Sequence, residues 1–306
     1  MKQEAIHKAR HLLSLSDLTK EELEEIILLG QTLKAGPEKF RDSLSRKTLI
    51  MLFQKTSTRT RLSFEAGMAR LGGHAIYLDW AKSNYTLGDL KDETKCMARY
   101  GDIIMARVNK HADLEAMASA SRVPIINGLS EKHHPCQAIA DLMTVKEKKG
   151  SLKGLKLAFI GDGNNVCHSL IQGCTKAGME IVVAGPKDYW PDPAIVEEGR
   201  RQGKVTITED PGQAVKDADV VYTDTWVSMG QEAENDKRLK AFKDYQVSLK
   251  LLGENKKALI MHCLPAHRGY EISDDALDSE QSVVFDQAEN RMHAQNALML
   301  FLLDKI

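Results

Sequence analysis

Between Lys55 and Arg61 the chain carries one ammonium, two guanidiniums and three hydroxyls, on Lys55, Ser57, Thr58, Arg59, Thr60 and Arg61. Such a group binds an anion. The arginine fork matches a phosphate edge, and the N–H groups at a helix start add to it. A solvated basic turn is the plain alternative, but it has no use for hydroxyls set beside the charges. Farther along, Arg107, His134 and Gln137 suit an anion and a carbonyl group. Asn165, Asp224, Ser228 and Cys263 offer something different: a carboxylate for an ammonium group, with an amide and a hydroxyl for a carboxylate. Together the two sets fit an amino acid facing a phosphorylated electrophile in a cleft between domains.

Some of these residues also have a structural reading. His262 ends an apolar run and reads equally as a satisfied core histidine, and Cys263 as a buried thiol. His133 and His134 with His262 and Cys263 lack the spacing of a zinc site, so no metal is expected. Gly161-Asp-Gly-Asn-Asn resembles a dinucleotide turn but has Val166 where the third glycine belongs. A nicotinamide dehydrogenase is therefore disfavoured, and no cofactor is expected.

The elements around these side chains must place them. Apolar runs at 48–53, 75–78, 103–108, 123–126, 155–160, 180–184, 204–208, 219–223 and 258–262 read as strands. Helical patterns at 62–71, 89–99, 112–120, 136–147, 166–177, 193–202, 211–216 and 236–250 fall between most of them. The alternation predicts an α/β fold of two doubly wound parallel-sheet domains with an interdomain active-site cleft. Ligands in such sheets bind past the carboxyl ends of the strands. The polar groups follow 48–53, 103–108, 123–126, 155–160, 219–223 and 258–262, in the places that rule demands. Pro135 suits the first position of a helix, which puts His134 and Gln137 beside its start. The polar, Gly-marked stretch 146–154 sets a boundary between domains at 1–147 and 148–285, and a C-terminal helix at 286–306 is expected to pack back on the first.

Bulk properties narrow the partners. A chain of 306 residues with net charge −1 has no excess of basic charge for nucleic acid or a membrane surface. Its five cysteines include no Cys-x-x-Cys pair, which fits a reduced, cytoplasmic protein. No apolar run is long enough to span a bilayer, and the N-terminus shows no targeting pattern.

Taken in order, the motifs resemble the aspartate/ornithine carbamoyltransferase family from about residue 10 to residue 303. Ser57-Thr-Arg-Thr-Arg61 is similar to its carbamoyl-phosphate loop and His134-Pro-Cys-Gln137 to its second anchor. Asp224-Thr-Trp-Val-Ser-Met-Gly230, His262-Cys-Leu-Pro265 and Glu289-Asn-Arg291 resemble the ornithine-using members. The resemblance implies an N-terminal carbamoyl-phosphate domain, a C-terminal ornithine domain, and a homotrimer or multiple of trimers. It implies that Ser57, Thr58, Arg59 and Thr60 bind phosphate, and that Arg107 bridges phosphate and carbonyl oxygen. His134 and Gln137 would hold the carbamoyl group, with Arg291 on its oxygen. Cys263 and Leu264 would contact both reactants, while Asn165, Asp224, Ser228 and Met229 would hold ornithine. The implied reaction transfers the carbamoyl group of carbamoyl phosphate to the δ-amine of L-ornithine, giving L-citrulline and phosphate. Arg59, Arg107, His134 and Cys263 are the expected catalytic residues, Cys263 favouring or accepting an amine proton. Three positions depart from the family: Gln54 stands for a usual Glu, the loop 79–88 differs, and Tyr270 replaces a common Glu. Two alternatives are a carbamoyltransferase for putrescine or an acylated ornithine, and a binding homologue without turnover.

Overall fold

A computed structural model describes residues 9–227 and 232–305. They form two compact units. The first holds the chain up to Leu18, then Leu28–Cys136, and the chain from Met292 on; the second holds Thr19–Ile27 and Gln137–Arg291.

The first unit is built on β1 (Thr48–Phe53), β2 (His74–Asp79), β3 (Ile103–Arg107) and β4 (Ile125–Leu129), all parallel, in the order β2-β1-β3-β4. Ile50, Leu52, Ile104 and Ala106 enter one core cluster with Leu114 and Met117. Leu49, Met51 and Phe53 alternate with them and are equally buried, so β1 is covered on both faces. That is why it reads as an unbroken apolar run. The helices in chain order up to this point are α1 (Lys20–Ala35), α2 (Thr58–Arg70), α3 (Leu90–Met97), α4 (His111–Ala120) and α5 (Pro135–Lys149). The unit division falls within α1 and α5.

The second unit has β5 (Lys156–Ile160), β6 (Glu180–Ala184), β7 (Val205–Thr208), β8 (Val220–Thr223) and β9 (Leu259–His262), parallel, in the order β7-β6-β5-β8-β9. The remaining helices are α6 (Asn165–Lys176), α7 (Pro193–Gln202), α8 (Pro211–Val215), α9 (Asn235–Phe242), α10 (Leu249–Leu252), α11 (Asp274–Leu277) and α12 (Val284–Leu302). Two parallel-sheet α/β bodies were the expectation, and all nine expected strands form. One helix does not. The pattern at 236–250 splits into α9 and α10, because Val247 leaves the helix to bridge Ile272 and donates to Glu271 O at 2.9 Å. Ser248 then caps α10 through Leu251 N–H. Pairing with a distant segment overrides the local period.

The glycines of the 161–163 turn have structural jobs. Gly161 has φ +135°, a conformation that favours glycine. A Cβ on Gly163 would run into the backbone of Trp190 and Pro191. A positive φ at Gly161 and close packing against another chain segment at Gly163 account for these two glycines. No helix among the described residues is long and apolar enough to cross a membrane.

Candidate active site

In the first unit the chain leaves β1 for one edge of the sheet and β3 for the other, so their adjacent carboxyl ends form the topological switch point. Phe53 pairs with Arg107 there. Gln54 ties the two ends: its N–H donates to Arg107 O at 2.8 Å, and its Oε1 accepts from Asn109 N–H at 2.6 Å. This bond needs an acceptor but no charge, which a glutamine supplies.

The anion-binding cluster opens α2. Ser57 is its N-cap, extended at φ −161°, and Oγ accepts from Thr60 N–H at 3.3 Å. The first turn contains no acidic residue, so its backbone N–H groups and positive dipole end remain suited to an anion. Thr60 is buried and Arg59 half-buried. Arg61 is committed elsewhere, with Nε on Glu65 Oε2 at 3.0 Å and its guanidinium 4.1 Å from the Tyr77 ring centroid. Arg107, the last residue of β3, is only 6% exposed. His134 follows β4 after a closed turn in which Ser130 N–H donates to His133 O at 2.9 Å and His133 N–H to Ser130 Oγ at 3.2 Å. Asn127 Nδ2 donates to Leu13 O, and the Cys136 thiol to Asn127 O. Those bonds fix the backbone on either side of His134, which is 5% exposed.

In the second unit the switch point lies between β5 and β8. Asp224 follows β8, and its carboxylate collects three donors. Asn164 Nδ2 reaches Oδ2 at 2.7 Å, and Thr225 N–H reaches Oδ1 at 2.8 Å. The Cys263 thiol donates to Oδ1 at 2.9 Å. Burial, and then the Asp224 charge, push the Cys263 thiol well above its ordinary range. Cys263 is therefore a neutral thiol near neutral pH, placed as a donor to Asp224.

The turn carrying Cys263 is held by its neighbours. His262 is fully buried; its Nδ1 accepts from Leu264 N–H at 2.8 Å, so Nε2 carries the proton and donates to Glu271 Oε1 at 2.9 Å. The satisfied core histidine is the reading that applies. Burial pushes the Glu271 carboxyl up, but the His262 bond and His267 N–H outweigh it and hold it below the ordinary range. Asp224, His262 and Cys263 bring one potential metal-ligand atom each within 4.8 Å of one another, which sequence spacing did not reveal. All three groups are already bonded as described, and a cation would have to break those bonds.

Gln137 and Arg291 meet in this same unit, Arg291 Nη1 donating to Gln137 Oε1. Gln137 Nε2 donates to Asp141 Oδ1 at 2.8 Å. The sequence reading missed Asp141, although its place four residues after Gln137 puts both on one helix face. It also missed Asn164, whose Oδ1 caps α6 through Val166 and Cys167 N–H while Nδ2 holds Asp224. Asn165, the residue it selected, is the first of α6. Arg238 was missed too, and nothing local marks it. Its Nη1 donates to Trp226 O at 2.8 Å and to Asp162 at 3.0 Å, which fixes the chain just beyond Asp224. Leu264 lies next to Cys263 with φ +58°. Ser228 and Met229 lie outside the described residues.

Comparison with known proteins identifies the family. Residues 10–147 match the family model "Aspartate/ornithine carbamoyltransferase, carbamoyl-P binding domain", and residues 153–302 match "Aspartate/ornithine carbamoyltransferase, Asp/Orn binding domain". The chain is 50% identical over 301 residues to the ornithine carbamoyltransferase of Archaeoglobus fulgidus, covering 97% of this chain and 98% of that one. It is 49% identical over 305 residues to the Pyrococcus horikoshii enzyme of the same name, covering 97% and 96%. The solved ornithine carbamoyltransferase of Pyrococcus furiosus superposes with a TM-score of 0.93 at 48% identity, covering 97% of this chain and 98% of that one. With both halves matched and near-full-length relatives at such identity, the chain belongs to the aspartate/ornithine carbamoyltransferase family.

Proposed function

We propose that this protein transfers the carbamoyl group of carbamoyl phosphate to the δ-amine of L-ornithine, giving L-citrulline and phosphate. Asp224 carries the choice of acceptor. A carboxylate at the β5/β8 switch point suits the α-ammonium of ornithine and would repel the side chain of aspartate. The reading assigns the phosphate to Ser57, Thr58, Arg59 and Thr60 at the start of α2, with Arg107. It assigns the carbamoyl group to His134, Gln137 and Arg291, with Cys263 and Leu264 beside it. Ornithine falls to Asn165, Asp224, Ser228 and Met229.

In the reaction the δ-nitrogen forms a bond to the carbamoyl carbon, charge builds on the carbonyl oxygen, the C–O bond to phosphate breaks, and the departing phosphate carries away the proton that the amine loses. No covalent enzyme intermediate is needed. Positioning and preorganised donors lower the barrier, with Arg59, Arg107 and His134 facing the developing charge. Cys263 keeps its proton, directed at Asp224 Oδ1, which leaves the sulphur lone pairs as a weak acceptor for a δ-amine N–H. It orients the neutral amine rather than deprotonating it.

The same reading includes a trimer or multiple of trimers in the cytoplasm. The deciding experiment offers carbamoyl phosphate with ornithine, putrescine, N-acetylornithine and aspartate and scores each ureido product. Ornithine should lead by about ten-thousandfold in kcat/KM, the scale on which a site built to bond a polar group rejects an analogue lacking it. Preference for putrescine, or no product with any amine, would refute the assignment.

A further inference from the structure

The side-chain amide of Gln137 is held at both ends: Nε2 donates to Asp141 Oδ1 at 2.8 Å, and Oε1 accepts from Arg291 Nη1. An amide has a donor end and an acceptor end of nearly equal shape, so its neighbours decide which way it faces. A guanidinium only donates, and Asp141 Oδ1, which takes N–H bonds from both Gln137 and Gln287, accepts whether the acid is ionised or carries a proton on its other oxygen. Between them they permit one orientation and penalise the other.

Asp141 is itself locked. It is 1% exposed. Besides Gln137 it accepts from Gln287 Nε2 at 2.8 Å and from Tyr222 OH at 3.0 Å. Gln287 Nε2 also donates to the Tyr222 hydroxyl at 3.1 Å, and its Oε1 accepts from His262 N–H at 3.0 Å. Desolvating a carboxylate this fully is costly, and an apolar residue would fill the same space without that cost. The residue repays the burial by what it does to Gln137. Oε1 has two lone pairs, and Arg291 occupies one. The other is an acceptor for an N–H. Turned over, the amide would present N–H groups to Arg291, donor against donor, and could not accept from a substrate.

We propose that Asp141 is a positioning residue for the acyl half of the substrate: by accepting from Gln137 Nε2 it holds Gln137 Oε1 as the acceptor that reads a carbamoyl N–H, and so discriminates against acyl phosphates that have none. This rests on the assignment of Gln137 to the carbamoyl group made above. The bond at stake is lost by acetyl phosphate, whose methyl group replaces the amine, and is irrelevant to inorganic phosphate.

The test compares KM for carbamoyl phosphate with inhibition by acetyl phosphate and by inorganic phosphate, in the whole enzyme at saturating ornithine. Gln137→Ala and Asp141→Leu should each narrow the carbamoyl-over-acetyl preference by about tenfold or more, the scale of one lost hydrogen bond. The double variant should narrow it no further than Gln137→Ala alone, and inorganic phosphate should inhibit all of them alike. Asp141→Asn keeps an oxygen for Gln137 and should restore the preference to within about threefold of wild type. If Asp141→Leu lacks a cooperative melt, Asp141→Ser replaces it; its short hydroxyl cannot serve both glutamines, and a loss of about threefold or more is expected. An unchanged preference in the Leu or Ser variant, or additive losses in the double variant, would overturn the proposal. An unchanged preference in Gln137→Ala would instead overturn the carbamoyl assignment itself.

Discussion

Asp141 is expected to make the stability of this protein fall as pH rises through the acid range. Burial pushes its carboxyl from 3.8 up to about 7, and the bonds from Gln137, Gln287 and Tyr222, with the Arg291 charge, only partly oppose that. The other titratable groups that bear on it are Cys174 on α6 and Cys263 after β9, and their own pKa values are raised, so both are neutral thiols near pH 7. Because the native carboxyl holds its proton to higher pH than the unfolded one, the native state binds more protons between the two values. Stability is then fully present below the unfolded value near 3.8 and is lost as pH rises to about 7. A shift of about three units corresponds to about 4 kcal/mol, of which roughly 2.5 kcal/mol falls between about pH 5 and pH 8. The perturbation is Asp141→Asn, which abolishes the ionisation and changes the packing little. Urea unfolding of both proteins at equal concentration, at steps of pH, gives the difference in stability. The wild type should lose ground to the variant by that amount across the window, with a slope of about 1.4 kcal/mol per pH unit at its acid end. A flat difference curve would refute the reasoning, since a pH-independent loss of hydrogen bonding in the variant moves the whole curve without tilting it.

Arg59→Ala should cut kcat/KM by about three orders of magnitude or more, the size of a lost charged donor at a transition state, whereas Arg61→Ala should stay within about tenfold; near-normal turnover in Arg59→Ala contradicts the phosphate assignment. Alkylation by iodoacetamide at neutral pH should modify exposed Cys96 and spare Cys263, read by peptide mass, because the Cys263 thiol stays protonated. Glu271→Gln should flatten the acid limb of stability: the lowered carboxyl of the wild type contributes stability above the unfolded value of 4.5 that is lost as pH falls through its folded value, and equal acid midpoints would exclude this. Gly163→Ala should cost about 2 kcal/mol or more in urea unfolding, because the new Cβ meets backbone of Trp190 and Pro191.

Local patterns were enough for the elements. Residues 48–53 and 180–184 form strands with the bounds the apolar runs suggest, because strands buried on both faces need uniform apolar sequence. The start of α2 was readable because a cap, its hydroxyls and its charges are all neighbours in sequence. The failure at 236–250 had the opposite cause: the partner that pulls Val247 out of the helix lies at Ile272.

The sequence by itself determined which side chains follow which strands, and so the chemistry on offer: an anion cradle at Ser57–Thr60 and an acid at Asp224. Only the tertiary structure decided how those groups are committed. It showed that Arg61 is spent on Glu65 and Tyr77, and that the Cys263 thiol donates a hydrogen bond to Asp224. It showed that Asn164 holds the Asp224 carboxylate, and that a buried acid stands behind Gln137. The reason is physical. Residue type and spacing fix what a group can donate or accept, but its pKa, orientation and partners depend on burial and on atoms far away in sequence.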